Sequence, residues 1–297
     1  MIEVTAPCRI SLAGGGTDLL PYSTLPKTDG GVVVSLAINI YQRIKLYQQG
    51  ERKVNKLLKG DNVQFIRTIL PRGYSIEHTF DGVTESGLGS SGAFAVALTY
   101  GLGVDKDKVA QKAFEEESKF HFTGKQDHWA SAYGGANIFT FTKDVECQYI
   151  PAIDIEALYP SLLLFHTPPR KKPVQSKMKV LTAKQIGNLD RIKAYAERTI
   201  DAIYNHDVKL VGELMDASWY EKKMSNPQVS NDYIDHIYDN ALMNGAYGGK
   251  LCGSGGGGYM VFVVPKKKRE QFINSMSKFA TWIDFSVDFN GVMRRQI

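Results

Sequence analysis

Gly87-Leu88-Gly89-Ser90-Ser91-Gly92-Ala93 is the stretch whose reading decides this chain. Closely spaced glycines let a backbone turn offer its N–H groups to anionic oxygens without side-chain obstruction. The apolar run from Ala93 to Tyr100 predicts a helix opening on that turn, stopped by Gly101 and Gly103. The positive end of such a helix favours a phosphate. Ser90 and Ser91 add hydroxyls that can reach a phosphate oxygen or Mg²⁺. The turn lacks the Gly-Lys-Ser/Thr ending of a P-loop and fits no dinucleotide fingerprint. Taken alone it would read as a serine-capped glycine turn, so the rest of the chain has to decide.

Two more glycine clusters flank it at a distance. Ala6-Pro7-Cys8-Arg9-Ile10-Ser11-Leu12-Ala13-Gly14-Gly15-Gly16-Thr17-Asp18 begins as a strand-like run, Glu3 to Leu12. Lys250-Leu251-Cys252-Gly253-Ser254-Gly255-Gly256-Gly257-Gly258 runs directly into the apolar segment Tyr259 to Val264, so it does not read as a flexible linker. Between the first two clusters, Val32 to Leu36 and Tyr41 to Tyr47 alternate as strands do, and Lys53 to Gly60 reads as a surface loop or short helix. A charged amphipathic helix is expected from about Lys106 to Phe120, and a small-residue helix starts at Gly124-Lys125-Gln126-Asp127. The pattern weakens around Pro151 to Pro160, which places a domain boundary there. The second half offers a buried strand at Leu162 to Phe165 and helices over Ala183 to Asn205, Val208 to Met224 and Asn231 to Asn244. Strand Tyr259 to Val264, a helix near Glu270 to Phe279 and a final strand follow. The fold class expected is α+β, in two layered domains.

The three glycine stretches, in this order and spacing, resemble the three motifs of the GHMP kinases, the galactokinase, homoserine kinase and mevalonate kinase group. Val83 stands where the second motif often has proline. Arg9 with Gly14-Gly15-Gly16-Thr17-Asp18-Leu19, Gly124-Lys125-Gln126-Asp127, Gly134-Gly135, Trp219 with Lys222-Lys223, and Asn244 to Lys250 are similar to the D-glycero-D-manno-heptose 7-phosphate kinases. The resemblance covers most of the chain, least clearly over Lys53 to Asp81. It implies an N-terminal domain like ribosomal protein S5 over residues 1–155 and a ferredoxin-like domain over 156–297. It also implies an ATP- and Mg²⁺-dependent kinase phosphorylating the anomeric (C1) hydroxyl of a heptose 7-phosphate or similar sugar. Another acceptor (an unphosphorylated sugar such as galactose, mevalonate or homoserine) stays open, as does a non-catalytic ligand sensor. Retention of Asp127, Arg9 and Ser91 together argues against the sensor.

Phosphoryl transfer needs positioning, charge neutralisation and a metal. By the resemblance, Gly87, Leu88, Gly89, Ser90, Ser91 and Gly92 bind the nucleotide, and Ser91 also binds Mg²⁺. Asp127 is the catalytic base, with Arg9 holding it ionised and stabilising transferred charge. Read on its own, Asp127 would be a helix N-cap. Gly15, Gly16, Thr17, Asp18, Gly255 and Gly256 contact the acceptor, and Lys222 or Lys223 with Lys125 would receive an acceptor phosphate. A metal carboxylate is sought among Glu115, Glu116 and Glu117. Helical spacing puts Glu117 on the apolar face of Val109, Ala110, Ala113, Phe114 and Phe120, and a buried acid must be paired or metal-bound. Counting back from Asp127 without gaps points instead to Glu115 or Glu116.

Composition narrows the partners to small molecules. Of 297 residues, 36 are basic and 31 acidic, a formal charge of +5, and short clusters such as Lys171-Lys172 and Lys266 to Arg269 are too scattered for nucleic acid. No apolar run approaches the ~20 residues that span a bilayer, and the start does not read as a signal peptide. Cys8, Cys147 and Cys252 form no zinc or disulfide pattern, as expected of a cytoplasmic protein. The six histidines show no metal spacing and read as structural or surface residues.

Overall fold

The computed structural model describes residues 1–48, 65–66, 68–83, 87–120, 122–167 and 181–297. Lys53 to Gly60, Lys171-Lys172 and His121 lie outside them. The first sheet is built on β1 (Ile2–Ala13) and β2 (Gly31–Gln48), paired antiparallel along their length. It continues with β3 (Tyr74–Phe80), β4 (Ala136–Phe141) and β5 (Val145–Tyr149), and its far edge is the last strand of the chain, β10 (Met293–Gln296). The order is β10-β1-β2-β4-β5, with β3 on the outer half of β2. The runs Val32 to Leu36 and Tyr41 to Tyr47 are thus halves of one strand. The β1–β2 register shifts between Pro7 and Cys8. Proline has no N–H for the ladder, and the unmatched residues, Asn39 and Ile40, lie on β2.

Against this sheet pack α2 (Ser90–Gly101), α3 (Val109–Glu117) and α4 (Gln126–Tyr133), following a short α1 (Leu20–Ser23). In α2 every residue from Gly92 to Thr99 is buried, as an apolar helix enclosed all round must be. Gly101 lets it approach the sheet: a Cβ there would lie 2.6 Å from Leu46 Cδ1. The amphipathic α3 is shorter than the run Lys106 to Phe120 suggested, with turns at both ends.

After α5 (Ala152–Leu158) comes a second sheet, of β6 (Leu162–His166), β7 (Gly248–Leu251), β8 (Tyr259–Val263) and β9 (Thr281–Ile283), ordered β7-β8-β6-β9 and antiparallel throughout. Helices α6 (Ala183–Tyr204), α7 (Val208–Ser225) and α8 (Asp232–Met243) connect β6 to β7, and α9 (Arg269–Met276) connects β8 to β9. This is the βαββαβ order of a ferredoxin-like unit. The boundary expected near residue 155 falls in α5, between the sheets, but the chain does not stay on one side of it. β10 returns to pair Met293–Gln296 with Thr5–Ile2 of the first sheet.

One core runs through both halves, joining Ile10, Leu36 and Phe94 to Leu164, Leu214 and Val261. A second, on the other face of the ferredoxin-like sheet, gathers Phe165, Trp219, Phe262 and Phe272. Each such side chain contributes about 1.5–3 kcal/mol by leaving water, so the shared core holds the two halves together. Among the described residues no helix is long and apolar enough to cross a membrane.

Candidate active site

β1 aims Arg9 into the first turn of α4, beside the stretch where β2 carries the unmatched residues Asn39 and Ile40. Its Nε and Nη2 donate to the same oxygen of Asp127, Oδ1, at 2.8 and 2.5 Å. Nη1 donates to the Gly87 carbonyl at 2.6 Å, and the Arg9 backbone N–H to Leu88 O at 3.0 Å. One buried arginine therefore fixes both the carboxylate and the glycine turn. Asp127 Oδ2 accepts no hydrogen bond from any described residue. The N-cap position of α4 is Lys125, and Asp127 makes no capping bond. The N-cap role suggested by the local sequence is thereby replaced: the carboxylate turns outward to Arg9.

The glycine turn serves this arrangement directly. A Cβ on Gly89 would stand 2.9 Å from Asp127 Cγ, and one on Gly92 would stand 2.6 Å from Asp127 Cβ, so the two glycines form the notch in which Asp127 sits. Gly89 has φ 73°, the left-handed conformation, and no side chain caps α2. The first-turn N–H groups of a helix lack partners inside it, which suits a phosphate. Ser90 and Ser91 stand half-buried on that first turn.

The third glycine stretch closes onto the second. A Cβ on Gly253 would lie 2.4 Å from Gly87 Cα, and Lys222 Nζ donates to the Gly253 carbonyl. Gly255 and Gly256 face elsewhere. Gly255 packs on Val229, and the Gly256 N–H donates to Val229 O at 2.8 Å, so both are part of an internal turn.

On the acceptor side, Asp18 is buried beside the start of α4. It accepts from the Gly16 and Gln126 backbone N–H groups at 3.1 and 3.2 Å and from Gln126 Nε2 at 3.3 Å. Burial, then the charge of Asp127, raises its pKa above the usual carboxylate value. Thr17 departs from expectation. It is wholly buried, its hydroxyl within 2.8 and 3.0 Å of the Gly14 and Val32 carbonyls and accepting the Val32 N–H at 3.1 Å. It ties the motif to β2, its one proton and one of its lone pairs already taken by backbone groups.

The basic residues divide in the same way. Lys223 pairs with Asp235 at 3.0 Å and lies over Trp219 and Tyr238. Lys125 turns to the Thr142 carbonyl at 3.3 Å and the Phe114 ring. Only Lys222 of the three sequence candidates reaches the site, joined by Lys250, whose pKa burial pulls down to about 7. The sequence carried a signal for Lys250, a charged residue within a run that is otherwise glycine and leucine.

Glu117 is buried as its periodicity required, and its Oε2 lies 2.5 Å from Nε2 of the buried His128. That pair satisfies one oxygen of the buried carboxylate. Glu115 is exposed and accepts from Gln111, and Glu116 pairs with Lys112 and Lys119. Among the described residues no three His, Cys, Asp or Glu side chains gather as a metal cluster.

Comparison with known proteins agrees with this architecture. The family profile described as "GHMP kinases C terminal" matches residues 199–281. The chain is 28% identical to the D-glycero-alpha-D-manno-heptose 7-phosphate kinase of Campylobacter jejuni over 98% of either protein. It is 26% identical to the galactokinase of Pyrococcus furiosus over 90% of either. In fold it resembles a D-glycero-D-manno-heptose 1-phosphate kinase from Bacteroides thetaiotaomicron, with TM-score 0.75 at 22% identity over 100% of this chain and 99% of that one. It also resembles a mevalonate kinase, with TM-score 0.68 at 19% identity over 96% of this chain and 99% of that one. The profile match over residues 199–281, the relatives at 26–28% identity along nearly the whole chain and the shared two-sheet fold make this chain similar to the GHMP kinases.

Proposed function

We propose that the chain transfers the terminal phosphoryl group of ATP to the anomeric (C1) hydroxyl of a heptose 7-phosphate. The observation that carries this reading is the Arg9–Asp127 pair, which ends in a carboxylate oxygen with no donor among the described residues. That oxygen is available to accept the proton of an attacking hydroxyl, while the guanidinium beside it holds the carboxylate in place and stabilises negative charge as the phosphoryl group moves. The open first turn of α2, with Ser90 and Ser91, receives the nucleotide phosphates. Asp18, held by Gly16 and Gln126, orients sugar hydroxyls.

A serine hydroxyl and one carboxylate beside phosphate oxygens form a donor set that Mg²⁺ accepts. Ser91 and Glu117 would hold the ion, with His128 steering the Glu117 carboxylate. When bound, Mg²⁺ neutralises phosphate charge.

The heptose acceptor rests on the Campylobacter relative, and the Pyrococcus galactokinase supports an unphosphorylated sugar as the second reading. The test is ATP turnover by the purified protein against heptose 7-phosphate, heptose, galactose, mevalonate and homoserine. Turnover fastest on heptose 7-phosphate is expected, and equal turnover on the heptose without its phosphate would favour the second reading.

A further inference from the structure

Gly15 is a glycine for a reason different from its neighbours. Its backbone is not in the left-handed region, whereas Gly14 and Gly16 have φ 77° and 104°. A Cβ built on Gly15 meets no backbone. It would stand 3.1 Å from Ser11 Oγ, 3.6 Å from Lys250 Nζ and 3.9 Å from Gln126 Nε2. Three donor groups of different kinds, from β1, β7 and α4, thus surround one small space that the missing side chain leaves open.

Lys250 is the unusual member. It is only 5% exposed, and its ammonium has no hydrogen-bond or ion-pair partner among the described residues. An unpaired buried ammonium is costly, and a chain keeps one where a ligand supplies the counter-charge. Arg9 is neutralised by Asp127, and Lys222 is bonded only to a neutral carbonyl. Asp18, which accepts from Gln126 Nε2 at 3.3 Å, offsets part of this charge, and Arg9, Lys222 and Lys250 against Asp127 and Asp18 leave one formal positive charge in excess that an anion would balance. Gln126 Nε2 donates one N–H to Asp18 Oδ1 at 3.3 Å and has a second N–H to offer.

We propose that the space at Gly15 is a phosphoryl-oxygen cradle, in which Lys250 Nζ, the Ser11 hydroxyl and the Gln126 amide bind one phosphate group. This deepens the sugar-kinase reading and rests on it for the identity of the ligand. The phosphate could be the one the acceptor already carries or the one being transferred, and both present the same tetrahedral oxygens.

Wild type is compared with Lys250→Met, which keeps the volume and removes the charge, and with Gly15→Ala, which fills the space without backbone strain. Lys250→Arg is the charge-keeping control. Each is titrated calorimetrically with heptose 7-phosphate, unphosphorylated heptose, MgATP and inorganic phosphate. Met and Ala variants are expected to lose tenfold or more in affinity for a phosphate-bearing ligand, to change less than twofold for the unphosphorylated heptose, and Arg is expected to recover part of the loss. Loss confined to heptose 7-phosphate assigns the cradle to the acceptor's own phosphate, and loss confined to MgATP assigns it to the transferred group.

A purely structural Lys250 would not move the proton balance. The groups that act on its charge are Lys222, Cys252, Arg9 and Asp18, and an anion should outweigh them and drive proton uptake at pH 8, seen as a buffer-dependent binding heat absent in Lys250→Met. If no sugar binds wild type, the acceptor reading fails, while MgATP and inorganic phosphate still decide the cradle. Affinities within twofold of wild type for every phosphate ligand in folded Lys250→Met and Gly15→Ala would overturn it.

Discussion

Arg9 places two N–H donors on one oxygen of Asp127, at 2.8 and 2.5 Å, and leaves the other oxygen without a partner among the described residues. A side-by-side fork would have occupied both oxygens. The single-oxygen arrangement gives the pair two functions: Oδ1 anchors the carboxylate, and Oδ2 remains able to take a proton. Asp127→Asn keeps the shape but replaces the charge. Turnover should fall about 10²- to 10⁴-fold, the usual contribution of a general base, with MgATP affinity held within a few-fold. Single-turnover kinetics and a nucleotide titration on one preparation check this. A variant that keeps near-wild-type turnover would remove Asp127 from the chemistry.

Gly89→Ala tests the notch. The new Cβ must adopt a left-handed backbone, costing about 1–2 kcal/mol, and would press on Asp127 Cγ at 2.9 Å. The expected outcome is a modest fall in melting temperature with a disproportionate loss of kcat, because the carboxylate is displaced from Arg9. Loss of stability with kcat unchanged would separate the turn from the base.

Thr17→Val tests the reassignment of Thr17. Its buried hydroxyl serves the Gly14 and Val32 backbone, and removing it strands the Val32 N–H at a cost of about 1–3 kcal/mol. Melting temperature should drop while the acceptor KM stays within a few-fold. A large rise in KM at unchanged stability would return Thr17 to the sugar.

The pH dependence of stability carries the signature of Lys250. Burial, then Lys222, lowers its pKa from 10.5 to about 7 in the folded protein. Between those values the unfolded chain binds more protons than the folded one, so stability rises with pH across that window. Below about pH 7 both states are protonated and the folded state bears the full burial penalty. The melting temperature of wild type relative to Lys250→Met should therefore climb from pH 7 to pH 9. A flat difference would show that the ammonium is not desolvated.

The sequence made the motifs legible because glycine, serine and aspartate carry their chemistry locally. It showed the longer helices and the Leu162 and Tyr259 strands because their apolar patterning is strong, but not the short helices Leu20–Ser23 and Ala152–Leu158. It hid β4 and β5: Ala136–Phe141 is buried almost throughout and does not alternate, and Val145–Tyr149 is mostly exposed. β7 was hidden too, since Gly248, Gly249 and Lys250 have no strand character, yet Gly249 is needed where a Cβ would meet Val261 O at 2.4 Å. Which glycine faces a ligand and which faces another backbone is a tertiary property. Gly255 and Gly256 look the same as Gly253 in the sequence, and only the fold sets them against Val229. The partners of Lys125, Lys223 and Glu117 come from Thr142, Asp235 and His128, and no spacing rule links those residues in advance.

The central claim, transfer to C1 of a sugar that already bears a phosphate, is tested most directly by ³¹P NMR of the reaction of purified protein with MgATP and heptose 7-phosphate. The account predicts a bisphosphate whose new phosphorus signal couples to the anomeric proton, while the signal of the original phosphate persists. ATP consumption with the new phosphate on any other hydroxyl, or none with this acceptor while a different acceptor turns over, would contradict it.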